Sequence, residues 1–237
     1  MPRPHSQIVT QTINYQVLIV DDHPLYRLAL RGAVAVACTN CEIFEADSVD
    51  GLYDGLDRHP HIDLLLLDLN LPGAYGFNAL AHLRGSRPEL PIIVVSAFDD
   101  TRTVRRALEF GAQSFVSKSA DADTIGESIL AVLRGEVVTP AGLETHWEAR
   151  ADDGALEIAR RMAQLTPQQF RVLGMLCAGR LNKQIGEDLK ITEATVKAHM
   201  TVILRKLGAS NRTQAVLLAG RLAREPDDIR VSPEGIE

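Results

Sequence analysis

The chain has 237 residues, 46% of them hydrophobic and 24% charged, with a formal net charge of −6. That length holds one large or two modest domains, and no apolar stretch nears the ~20 residues of a membrane span. Three cysteines are too few for a closed disulfide framework, and residues 1–14 lack the apolar core of a secretory signal, so a cytoplasmic protein without membrane contact is expected.

The charge is unevenly spread. Residues 1–140 carry 11 Lys/Arg against 18 Asp/Glu, whereas residues 160–224 carry 12 against 3. An acidic front and a basic back call for two domains with different partners, and the basic one is a nucleic-acid candidate. The expected division is a flexible extension over 1–14, a first domain over 15–137, a linker over 138–160, a second domain over 161–224 and an acidic tail over 225–237.

Within 15–137, strands are expected near 16–20, 42–46, 63–68, 91–95 and 114–117. Helices are expected near 24–37, 48–58, 76–85, 100–110 and 121–135. Five strand–helix units in about 120 residues predict an α/β fold, a doubly wound five-stranded parallel sheet with right-handed crossovers. Several of its strands end in a chemically useful side chain. Val17-Leu18-Ile19-Val20 runs into Asp21-Asp22, Leu64 to Leu67 into Asp68, Ile92 to Val95 into Ser96, and Phe115-Val116-Ser117 into Lys118. Singly, each reads as a cap or a turn former; parallel strands bring such ends to one edge, where ligands of these sheets bind.

Residues 138–160, with Gly142 and Asp152-Asp153, show no strand period and turn helical only towards Arg160. From Leu165 onward everything is helical. Thr166-Pro167-Gln168-Gln169 is a capping-box signature with Pro at the first helical position. Asn182, Thr192 and Asn211 cap the following helices, and Gly179 and Gly208 end two of them. The brief Lys190-Ile191-Thr192 connection makes a helix-turn-helix candidate.

Asp21-Asp22, Asp68, Ser96 and Lys118 resemble the phosphorylation quintet of two-component receiver domains. Leu165-Thr166, Gly179, Asn182-Lys183, Ile185, Leu189, Ile191-Thr192-Glu193, Thr195 to His199, Lys206-Leu207 and Arg212 to Ala215 resemble a LuxR-type DNA-binding domain. Together they resemble a response regulator of the NarL/FixJ class. The resemblance implies a flavodoxin-like receiver of strand order 2-1-3-4-5, followed by a small all-α helix-turn-helix domain.

It also implies roles. Asp68 would accept a phosphoryl group from a sensor histidine kinase, with Ser96 and Lys118 contacting phosphoryl oxygens. Asp21, Asp22, Asp68 and the backbone carbonyl of Asn70 would hold Mg²⁺. Phe115 would be a switch aromatic, or else a plain core residue. Lys197, Ala198 and Thr201 would face bases of promoter DNA, with Lys183, His199, Arg205 and Lys206 as phosphate contacts or supports and Thr192 and Thr195 as further residues of the DNA-binding site; His199 reads equally as a packed histidine. Val216, Leu217 and Gly220 on the last helix would form a dimer surface after phosphorylation, or else internal core. RNA polymerase is a further implied partner, and no enzymatic turnover beyond self-phosphorylation and self-dephosphorylation is expected. A LuxR-type regulator that ignores phosphorylation is the nearest alternative.

Cys38-Thr39-Asn40-Cys41 falls in a connection without a second ligand pair, and is read as neither a zinc nor a redox site. Ser119 stands where many receivers carry a cis proline, and Gln168-Gln169 where the LuxR-type domain usually carries Arg-Glu.

Overall fold

The computed structural model describes residues 14–139 and 153–223. The expected extension over 1–14, nearly all of it, and the acidic tail over 225–237 lie outside the described residues, as does Gly142. In chain order the first half comprises β1 (Tyr15–Val20), α1 (Pro24–Ala37), β2 (Cys41–Ala46), α2 (Val49–Arg58) and β3 (Leu64–Asp68). There follow a short hairpin of β4 (Asn70–Leu71) and β5 (Ala74–Tyr75), then α3 (Asn78–Ser86), β6 (Ile92–Ser96), α4 (Thr101–Glu109), β7 (Ser114–Ser117) and α5 (Ala122–Leu133).

The main sheet is parallel throughout, in the order β2-β1-β3-β6-β7. With the unforeseen hairpin set aside, this is the expected 2-1-3-4-5 order. Leu64 to Leu67 are all buried because the central strand is covered on both faces, and each such leucine contributes roughly 1.5–3 kcal/mol. Alternate residues serve opposite layers. Val17, Ile19, Leu64, Leu66, Ile93 and Val95 pack under α1 and α5. Leu18, Val20, Leu65, Leu67, Ile92 and Val94 face the layer of α2, α3 and α4.

The second half comprises α6 (Asp153–Met162), α7 (Pro167–Cys177), α8 (Asn182–Asp188), α9 (Glu193–Leu207) and α10 (Arg212–Ala223). The expected linker is therefore helical from Asp153 onward, a correction to its reading as mostly irregular. Leu156, Ile158, Ala159 and Met162 give α6 an apolar face, and this face joins the core. The Thr166 box closes as read: the Thr166 hydroxyl accepts from Gln169 N–H and Gln169 Oε1 accepts from Thr166 N–H. Gly208 ends α9 in the left-handed region, at φ 68°, where a side chain would be strained.

The two halves share one core. The cluster on the α2–α3 side of the sheet continues through Ala155, Met162, Leu165 and Phe170 into the helical half. His82, on α3, is fully buried at this seam. It stacks on Phe170 with ring centroids 4.4 Å apart, its Nε2 lies 2.8 Å from the Leu165 carbonyl, and its Nδ1 meets the Tyr53 hydroxyl. Gly174 is required here, because a Cβ would run into the Gly73 carbonyl oxygen. Arg171 pairs with Asp50 and Asp54 at the rim, and Phe77 N–H donates to the Leu222 carbonyl at 3.2 Å. Sequence reading gave no sign of this packing.

Cys38 and Cys41 are joined as a disulfide, a pairing that sequence reading did not foresee. Neighbouring ends of α1 and β2 hold their Cα atoms 5.7 Å apart, within the normal span of such a bond. Among the described residues no helix is long and apolar enough to cross a membrane, and none of their peptide bonds is cis.

Candidate functional site

Parallel register brings the strand ends together. Asp68, opposite Val95, closes β3; Asp21 follows β1; Ser96 closes β6; and Lys118 follows β7. Asp21 and Ser96 are fully buried and Asp68 nearly so. Lys118 Nζ lies 2.6 Å from Asp21 Oδ2 and 2.8 Å from Asp68 Oδ2, bridging the two carboxylates. Its backbone N–H donates to the Ser96 carbonyl at 2.8 Å, which pins the end of β7 to β6. Asn70 N–H donates to Asp68 Oδ1 at 3.2 Å. His23, Leu25, Tyr26, Asn70 and Ala97 complete a cleft of about 500 Å³ with Asp68 and Lys118 on its wall.

The electrostatics are unfinished. Burial raises the Asp68 carboxyl above the ordinary carboxylate value, against the hydrogen bond and charge of Lys118. Burial would lower the Lys118 ammonium, but its bonds to Asp21 and Asp68 outweigh that and hold it above its usual value. One cation thus serves two buried anions, and two carboxylates ~5 Å apart repel by about 3 kcal/mol at an effective dielectric of ~20. Asp22 Oδ1 is buried with no partner in hydrogen-bond geometry, and Asp21 Oδ2 has only the Lys118 ammonium that it shares with Asp68. Asp21, Asp22, His23 and Asp68 each offer a ligand atom within 4.8 Å of the others. An orphaned oxygen in a mainly carboxylate set fits a hard divalent cation such as Mg²⁺.

Sequence reading missed His23 as a member of this group. Its signal was present, since it directly follows Asp21-Asp22. Tyr26 was missed as well: its hydroxyl is buried without a partner, and burial, then the charges of Asp21 and Asp68, push it up to about 12. The Lys118 ammonium sits 5.0 Å from the centre of its ring. Ser96 Oγ accepts from Phe98 N–H at 3.1 Å, and Phe115 is packed in the core at 5% exposure.

In the helical half, Lys197, Ala198 and Thr201 lie exposed on α9, clear of the receiver-like half. Lys197 pairs with Glu193 one turn back, at 2.9 Å, and the Thr201 hydroxyl donates to the Lys197 carbonyl. Thr192 caps α9 by accepting from Thr195 N–H, and the two hydroxyls lie 2.8 Å apart, so both serve the helix end as well as any ligand. Lys183 and Arg205 are exposed and His199 is half-buried. Lys206 is placed differently from a free phosphate contact. Its ammonium donates to the Gln164 carbonyl at 2.7 Å and to Gln169 Oε1 at 2.8 Å, so Gln169 ties α9 to the start of α7. Leu217 is 63% exposed and Val216 and Gly220 are half-buried, while Ala215, Ala219 and Leu222 line the inner side of α10.

Comparison with known proteins agrees with both halves. The model of the response regulator receiver domain matches residues 17–130, and that of bacterial regulatory proteins of the luxR family matches residues 163–219. A glycerol metabolism activator of Pseudomonas putida is 37% identical over 210 residues, covering 87% of this chain and 95% of that protein. The nitrate/nitrite response regulator NarP of Escherichia coli strain K12 is 33% identical, covering 86% and 94%. Among solved structures, the RcsB response regulator of Salmonella typhimurium superposes with a TM-score of 0.51 at 20% identity, covering 88% of this chain and 98% of that one, a likeness of fold.

Proposed function

The chain belongs to the response regulators that join a receiver domain to a luxR-family DNA-binding domain, and from that premise we propose that phosphorylation of Asp68 governs its binding to promoter DNA. The observation that carries this reading is the Lys118 bridge: one ammonium shared by two buried carboxylates at the common edge of four strands. Such a centre is short of positive charge, and it accepts a phosphoryl group only when that charge is supplied.

In this reading a carboxylate oxygen of Asp68 attacks the phosphorus of a phosphohistidine on a sensor kinase. The P–N bond breaks as the P–O bond forms, leaving an acyl phosphate. Asp21, Asp22, Asp68 and the Asn70 carbonyl would hold Mg²⁺, which neutralises charge on the transferring group when bound. Lys118 moves its ammonium from the carboxylates to a phosphoryl oxygen, and Ser96 exchanges its bond from Phe98 N–H for another. Phe115 follows as the strand end resettles.

The output is proposed to be dimerisation through Val216, Leu217 and Gly220 on α10, with Lys197, Ala198 and Thr201 reading the major groove and Lys183 and Arg205 on phosphates. Contact with RNA polymerase and a cytoplasmic site of action complete the proposal. Because α6, α7 and α10 face the receiver and the start of α9 does not, gating acts through assembly and not through covering of the reading face. That open face also favours a second reading, a regulator that binds DNA without phosphorylation.

The test is transfer from a phosphorylated kinase or a small phosphoryl donor. Wild type is expected to be labelled with Mg²⁺ and not in EDTA, and Asp68→Asn not at all. Label that survives EDTA or the Asp68→Asn change overturns the assignment.

A further inference from the structure

We propose that the His23 imidazole is itself a ligand of this divalent-ion site, giving it a nitrogen donor that favours Mn²⁺ and its first-row neighbours over Mg²⁺. The inference rests on the reading of Asp21, Asp22 and Asp68 as a cation site and adds a residue and a metal preference to it.

The geometry is that of ligands sharing one ion. His23 Nδ1 lies 2.7 Å from Asp22 Oδ1 and 3.1 Å from Asp21 Oδ1. Around an ion with bonds of ~2.1 Å, adjacent corners of an octahedron are separated by about 3.0 Å. Without an ion, a protonated Nδ1 donates to Asp21 Oδ1, which also accepts from His23 N–H at 2.8 Å; a bound cation takes the place of that Nδ1 proton. Asp22 Oδ1, though nearest to Nδ1, is buried and has no partner in hydrogen-bond geometry. Asp21 Oδ2 is held by the Lys118 ammonium at 2.6 Å, a single cation that it shares with Asp68. One cation placed among these atoms satisfies Asp22 Oδ1 and uses the Nδ1 lone pair of the Nε2–H tautomer.

Position and chemistry agree. His23 is the N-cap residue of α1 but makes no side-chain capping bond, so helix capping does not hold its ring where it is. Pro24 begins the helix, and the backbone turn from β1 to α1 aims the ring back at the carboxylates. The ring lines the same cleft as Asp68 and Lys118 and is 65% exposed, leaving room for water on the remaining coordination positions. Carboxylate and carbonyl oxygens suit Mg²⁺, whereas imidazole suits first-row transition ions and binds them increasingly well along the series from Mn²⁺. A mixed set therefore retains Mg²⁺ and gains selectively for the others.

The experiment uses the full-length protein loaded with Mn²⁺ or titrated with Mg²⁺. Pulsed electron paramagnetic resonance of bound Mn²⁺ is expected to show the coupling of a directly bonded ¹⁴N. That coupling should change to the ¹⁵N pattern when histidine alone is ¹⁵N-labelled, a readout that needs no variant to fold. In His23→Ala the coupling should vanish and Mn²⁺ affinity should fall ~tenfold or more, the scale of losing a partner at a metal site. Mg²⁺ affinity should move less than about twofold. If both ions bind wild type without histidine coupling, or lose affinity equally in His23→Ala, the proposal is overturned while the carboxylate site stands. If neither ion binds wild type, or Asp68→Asn binds as well as wild type, the carboxylate site falls and the proposal with it.

Discussion

Acid acts in opposite senses on two buried groups of this chain. At the strand-end pocket, Asp68 is held above its ordinary value by burial, so the folded state prefers the protonated carboxyl and gains stability as pH falls through that raised value. At the seam between the halves, burial holds His82 down at about 4, so the folded state prefers the neutral ring and loses stability as pH falls. The pocket is a charged site short of one cation. The seam is a neutral site in which Tyr53 and the Leu165 carbonyl already satisfy both ring nitrogens. The first is built to change charge, the second to keep it.

The largest expected effect breaks the pocket. Lys118→Met leaves Asp21 and Asp68 buried with no cation, and removing one partner of such a pair costs roughly 3–5 kcal/mol. Thermal unfolding in EDTA should show the receiver half strongly destabilised, and Mg²⁺ should restore much of the loss. Stability indifferent to Mg²⁺ would mean that the carboxylates do not share an ion.

The next effect is at the seam. Between the ordinary histidine value of 6.5 and about 4, the opened or unfolded chain binds a proton that the packed form refuses. Stability is therefore full above pH ~6.5 and falls by about 1.4 kcal/mol per unit below it, to a total near 3 kcal/mol. His82→Gln should flatten that slope in denaturant titrations across this range. An unchanged slope would place the acid response elsewhere.

A smaller effect probes the same contact without charge. Gly174→Ala forces a methyl group against the Gly73 carbonyl, and overpacking of this kind costs ~1–3 kcal/mol. Small-angle scattering should report separation of the halves with their individual folds intact. A compact Gly174→Ala protein of wild-type dimensions would show the contact to be yielding.

The contrast also explains what was legible in the sequence. Asp21, Asp68, Ser96 and Lys118 each end or follow an apolar run, and a parallel sheet has only one edge to which such ends can go. The common pocket follows from that rule, whereas the strand order 2-1-3-4-5 was implied only by the family resemblance. His82 lies within Asn78 to Leu83, a stretch that only the structure shows to be buried on nearly every face. A histidine on a helix says nothing by itself, and its partner Leu165 is 83 residues away. Lys206 could not be placed either: a lysine in a basic helix reads as a phosphate contact until Gln164 and Gln169 are found beneath it. The early start of α6 escaped because an acidic, glycine-containing stretch reads as a connection until its apolar face has something to pack on.

The central claim is that a charge change at Asp68 is felt at the reading face of α9. It is tested most directly by measuring affinity for promoter DNA with and without beryllofluoride and Mg²⁺, in wild type and in Asp68→Asn. Wild type should tighten by ~tenfold, within the range usual for coupling between distant sites, and Asp68→Asn should not respond. Equal affinity in all four states would contradict phosphate gating and leave a DNA-binding regulator that ignores its own pocket.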